Sequence, residues 1–107
     1  MSIVLDLEAD RGASLSITLR VMETATKIFD LTGFSGRARI CEDDAYSTEL
    51  AEVDSVVIDA STGDVTVNFL PAHTLAVETA AVWDVFVSSP AGDVSLRLAR
   101  GVFLVIR

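Results

Sequence analysis

The chain reads as an all-β protein, an antiparallel immunoglobulin-like β-sandwich of about seven to nine short strands. Three observations predict it. Hydrophobic residues recur at every second position, most cleanly where Leu15, Ile17, Leu19 and Val21 alternate with Ser14, Ser16, Thr18 and Arg20. That is the period of a strand with one buried face. Turn residues punctuate such runs at intervals of about ten residues, as in a sandwich or small barrel. Helical pattern is nearly absent, which argues against an α/β fold.

Taken in order, Ile3, Leu5 and Leu7 share one face of a first strand, with Asp6 and Glu8 on the other. A turn at Asp10 to Gly12 leads into the run from Leu15 to Val21. Met22 to Lys27 is polar and reads as a loop, and Leu31 to Phe34 forms a corner. There Gly33 can take the positive φ that other residues avoid, and Phe34 then enters the core or serves as a docking aromatic. Phe34 to Cys41 alternates again, with Arg37 and Arg39 outward. Glu42 to Tyr46 is an acidic hairpin loop. Ser47 to Val53 and Ser55 to Asp59 are one or two strands with a bulge at Asp54.

After the Ser61 to Asp64 turn, Val65, Val67 and Phe69 point inward until Pro71 stops the strand. Ala72 to Ala80 holds the one helical piece, at most a single turn near Ala72 to Val77. Val82 to Ser88, Val94 to Ala99 and Val102 to Ile106 complete the set, with Gly101 read as a bulge that re-aims the last run. The expected core is Leu15, Ile17, Leu19, Phe34, Ile40, Val65, Val67, Phe69, Trp83, Val85, Leu96 and Leu98.

A length of 107 residues suits one domain spanning 1–107, with one core. Half the residues are hydrophobic, so the chain is expected to fold, yet no apolar run approaches the roughly 20 residues that cross a bilayer. Met1 to Asp6 lacks the basic and apolar regions of a signal peptide, so synthesis without export is expected. The net charge of −8 disfavours nonspecific attraction to nucleic acid or anionic membrane.

Chemistry-bearing patterns are few. Cys41 is the single cysteine, and the acids at Glu42 to Asp44 disfavour a thiolate, so a neutral structural thiol is expected. The single histidine, His73, lies in a turn region with no nucleophile pattern beside it. Glu42, Asp43 and Asp44 lack the spacing of a calcium loop, and Asp59 and Asp64 suit turn-capping. No catalytic, cofactor-binding or metal-ligating residue is therefore assigned, and no enzyme activity or cofactor is expected.

Two segments resemble one family. Ile28 to Ile40 joins two alternating runs through a Leu-Thr-Gly-aromatic corner into a strand with outward arginines. Trp83 to Val87, the turn at Ser89 to Asp93 and Val94 to Val102 form an aromatic-Asp strand, a Gly turn and a leucine-arginine-glycine strand. Together they resemble the short β-sandwich proteins of bacteriophage tails and baseplates, in particular the N-terminal domain of siphophage baseplate upper proteins. The resemblance implies a structural virion protein of a tailed phage or prophage, in the tail, baseplate, neck or an external position. Its partners would be other phage structural proteins, it would reside in the virion, and it would pass through the host cytoplasm before assembly.

The alternatives are a carbohydrate- or ligand-binding module with Tyr46 and Trp83 in one groove, and a small hydrolase using paired carboxylates. The last strands carry apolar residues at both parities, which implies a covered second face and a homo-oligomer or symmetric assembly. The expected interface residues are Phe86, Phe103, Val105, Arg97 and Arg107.

Overall fold

The computed structural model describes residues 3–43, 45–46 and 48–106. The described residues form β1 (Ile3–Val4), β2 (Leu7–Asp10), β3 (Leu15–Arg20), β4 (Ser35–Cys41), β5 (Glu49–Val53), β6 (Val56–Asp59), β7 (Asp64–Phe69), α1 (Pro71–Leu75), β8 (Ala80–Ser88) and β9 (Ser95–Ile106). They build two sheets. The six-stranded one runs β1-β9-β8-β4-β5, with β2 also on β9, and faces a three-stranded sheet ordered β3-β7-β6. The expected β-sandwich is present, with its short helix starting at Pro71.

Pairing is antiparallel except where β1 and β2 run parallel to β9. First and last strands thus lie side by side, and the chain crosses between the sheets in an immunoglobulin-like order. The inter-sheet disulfide of antibody domains has no counterpart, because Cys41 is free.

Two local expectations are corrected. The segment around Asp54 is not a bulge within one strand: β5 belongs to the large sheet and β6 to the small one. Asp54 and Ser55 are the crossover, fastened where the Ser55 hydroxyl donates to the Asn68 carbonyl and the Ser55 carbonyl accepts from the Asn68 amide. At the Leu31 to Phe34 corner, Gly33 does adopt φ 77°, but Leu31 is the residue driven fully into the core. Phe34 is half-buried, edge-on to Phe29.

The core is centred on Trp83, Phe69 and Phe103, with ring centroids 5.8 Å apart for the first pair and 5.0 Å for Phe69 and Phe103. Trp83 is wholly buried, and its indole Nε1 donates to the Leu5 carbonyl at 2.8 Å. A buried indole N–H needs such a partner. Of the expected core, Ile40, Val65, Val67, Phe69, Trp83 and Val85 are fully buried. Leu15, Ile17, Leu19, Phe34, Leu96 and Leu98 line its margin, half-buried.

The largest correction concerns β9. Val85 pairs with Ala99 and Phe86 with Arg97, so Leu98 is an extra residue and the bulge lies there, not at Gly101. A bulge inserts one residue and reverses which side chains face inward beyond it. Ala99, Phe103 and Val105 are therefore buried, and Val102, Leu104 and Ile106 are exposed. Phe103 and Val105 are core residues, not residues of an open face.

Gly101 has a different reason to be glycine. A Cβ there would collide with the backbone carbonyl of Leu5, the same oxygen that accepts the Trp83 bond. The missing side chain lets the N-terminal segment cross closely over β9.

Candidate functional site

The outer face of the large sheet carries the densest polar and aromatic grouping. Register places Arg37 beside Phe86, Arg39 beside Asp84, and Asp84 beside Arg100, while Phe86 also pairs with Arg97. Four of the chain's eight basic residues (Arg37, Arg39, Arg97 and Arg100) thus occupy neighbouring outward positions on β4 and β9. They flank Asp84 and Phe86 on β8, so a strongly acidic chain concentrates half its positive charge on one face.

Asp84 has no exposed side-chain surface although it faces outward, because its neighbours fold over it. Arg39 donates through Nε and Nη2 to the two carboxylate oxygens, at 2.9 and 3.0 Å. Arg97 Nη2 approaches Oδ2 at 3.4 Å. The bond to Asp84 raises the Arg39 pKa further above its ordinary value. A forked guanidinium on a carboxylate is a geometrically specific pairing. Arg37 is held more loosely, 3.4 Å from Glu52 and 3.7 Å from Glu49.

Two rings complete the platform. The Arg39 guanidinium carbon lies 4.8 Å from the Tyr46 centroid and 5.3 Å from that of Phe86, and Arg97 lies 5.1 and 5.5 Å from the same rings. Each contact is within cation–π range. Tyr46 reaches the sheet from the β4–β5 loop with φ 55°, a left-handed conformation unfavourable for a side chain other than glycine. The Tyr46 amide donates to the Asp43 carbonyl at 3.0 Å, and its hydroxyl donates to the Trp83 carbonyl at 3.2 Å. Burial, the largest influence, raises the Tyr46 phenol pKa.

Beside the platform is a shallow groove of about 270 Å³ lined by Arg37, Arg39, Phe86, Ser88 and Ser95. Along β9 the same face becomes apolar, through Val102, Leu104 and Ile106, exposed by 39, 42 and 46%. Between the two sheets, a larger cleft of about 490 Å³ opens between β3 and β9 and includes Leu19, Val21, Met22, Phe29, Leu96 and Leu98.

No family model matches the chain, and no curated protein matches it.

Each residue singled out from sequence now has a place. Phe86 is half-buried beneath the two guanidiniums, and Arg97 belongs to the Asp84 cluster. Phe103 and Val105 are in the core, while Arg107 and Asp44 lie outside the described residues. Trp83 offers no exposed face on which a sugar could stack. Cys41 is buried, and burial, the largest influence, pushes its thiol pKa up. Among the described residues no group of three or more His, Cys, Asp or Glu is placed to hold a metal ion.

Asp59 and Asp64 face one another across the β6–β7 hairpin, but each has a structural partner. Asp59 accepts from the amide and hydroxyl of Ser61, and Asp64 takes a forked pairing from Arg20. His73 Nδ1 accepts the Leu70 amide at the start of α1.

Sequence reading missed Asp84 and Tyr46 as members of one cluster. Outward arginines at 37 and 39 and an outward acid at 84 were visible from alternation; the register that joins them was not. Nothing local to the acidic loop marks Tyr46 as turning back onto the sheet.

Proposed function

We propose that this chain is a structural component of a tailed bacteriophage or prophage particle, working through protein–protein assembly on the outer face of its large sheet. The observation that carries the assembly reading is the Arg39–Asp84–Arg97 platform between Tyr46 and Phe86. Arginine and tyrosine are the residue types that dominate binding energy at protein interfaces, and here they are already ordered in the free chain. Preorganised side chains lose little entropy on docking. The tail or baseplate context comes from the resemblance of the Ile28 to Ile40 and Trp83 to Val102 segments. The role is non-enzymatic and needs no cofactor.

The test is proteomic. Particles purified from an induced lysogen encoding this chain are expected to contain it in a fixed ratio to tail proteins through successive density gradients. Its absence from washed particles overturns the reading.

The cleft between β3 and β9 favours a second reading, a module that binds a small apolar ligand rather than a glycan, since its walls are mostly aliphatic and aromatic. Saturable binding of an apolar fluorescent probe, blocked by a bulkier residue at Leu98, would favour it.

A further inference from the structure

We propose that the outer face of the large sheet is a two-fold self-association surface, on which a second copy of this chain seats its own β9. The proposal rests on the assembly reading and names the partner.

The bulge at Leu98 puts Val102, Leu104 and Ile106 in one exposed apolar row. This row has charged ends of opposite sign. Below it on β9 stand Arg97 and Arg100. Beside its other end, on β2, stand Glu8, paired in register with Leu104, and Asp10, paired with Ile106. All four charged residues point outward, by the alternation of their strands.

Two copies packed face to face are related by an axis lying between the faces. Set across the strands at Val102, that axis places Val102 against its own copy. Stepping outward in register, it brings Arg100 opposite the row of Leu104 and Glu8, and Arg97 opposite the row of Ile106 and Asp10. Every such contact occurs twice, as an isologous interface requires. The basic end of one copy covers the acidic end of the other.

Cys41 is level with Val102, so β4 and β5 lie beyond the overlap and the contact is made by β9, β8 and the N-terminal strands. The interface is at the small end for a specific contact, and the dimer is a weak one. With a net charge of −8 on each copy, unspecific stacking of these sheets is opposed. The arginine end is what makes this one orientation favourable.

Sedimentation equilibrium of the purified chain, from micromolar to several hundred micromolar, tests the contact. The expected species is twice the 11.4 kDa monomer. The Val102→Thr, Leu104→Thr double variant puts β-branched residues at both positions and should be monomeric, with an unfolding transition matching that of the native chain in dilute solution. Arg100→Glu and Glu8→Arg, each alone, should weaken the dimer by about tenfold or more, about 1.4 kcal/mol. Combined, they restore both the native net charge and the native affinity.

A chain that stays monomeric overturns the proposal, as does a dimer indifferent to the threonine pair or one the charge swap fails to rescue. None of these outcomes bears on the particle experiment, which reads the chain's place in a virion directly.

Discussion

Arg39 and Asp84 share two hydrogen bonds of 2.9 and 3.0 Å, but the partners differ in their access to water. The Asp84 side chain is wholly buried, whereas that of Arg39 is 23% exposed. Their removal should therefore be unequal. Arg39→Ala leaves a buried carboxylate with Arg97 alone, and stranding a buried charge costs about 3–5 kcal/mol. Asp84→Ala leaves two guanidiniums that can turn toward solvent, which should cost about 1–3 kcal/mol. Urea unfolding of both variants checks the order, and a larger loss for Asp84→Ala would contradict it.

The Leu5 carbonyl lies over Gly101 and accepts the Trp83 indole. A methyl at position 101 must displace that peptide, so Gly101→Ala should destabilise by about 1–3 kcal/mol. The indole should also lose its partner. Tryptophan emission reports this directly, because Trp83 is the single tryptophan. A red shift in the folded variant is expected.

The parity of β9 can be read by substitution. Phe103 packs against Phe69, and Phe103→Ala should cost about 3–5 kcal/mol. Val102→Thr, on the open side of the same strand, should stay within about 0.5 kcal/mol in dilute monomer. Equal effects at the two positions would mean that the bulge is not at Leu98.

That bulge also marks how far the sequence could be read. Alternation was sufficient for β3, β4, β7 and β8, where Leu15 to Leu19 and Val65 to Phe69 keep a strict period of two. It failed on β9 because Leu96 to Ile106 is apolar at both parities, so the one-residue insertion leaves no break in the pattern. The sheet change at Asp54 was hidden for a related reason: two short strands joined by two polar residues look alike whether the chain bulges or crosses over. The Asp84 platform depends on strand register across 45 residues, information that no local window contains.

The acid limb of stability should come from three aspartates. Asp30 is held below its usual pKa by Thr32, Asp59 by Ser61, and Asp64 by the Arg20 guanidinium. Each carboxylate is favoured by the fold, so its contribution is present above the ordinary aspartate pKa of about 4 and is lost as pH falls through the lower folded value. Unfolding midpoints should drop below about pH 4. Asp64→Asn should flatten part of that drop.

The alkaline limb should have a different origin, in Cys41 and Tyr46. Burial is the largest influence on both groups, and it raises both pKa values. In the unfolded chain the thiol ionises near about 8.5 and the phenol near about 10. The folded state holds each proton to higher pH. Between the unfolded and folded values, the unfolded chain has released a proton that the native one still binds, so rising pH favours unfolding. The stabilisation is complete below the unfolded values and is lost as pH climbs through the folded ones. Two variants separate the sources. Cys41→Ala should remove the portion that begins near about pH 8.5. Tyr46→Phe keeps the ring over Arg39 and Arg97 but deletes the ionising group and its bond to the Trp83 carbonyl. It should be destabilised by about 1 kcal/mol at neutral pH, the net worth of one hydrogen bond, and should show less further loss above about pH 10. If the Tyr46→Phe chain follows the native profile through that range, the phenol is not shielded from water, and Tyr46 leaves the platform in solution.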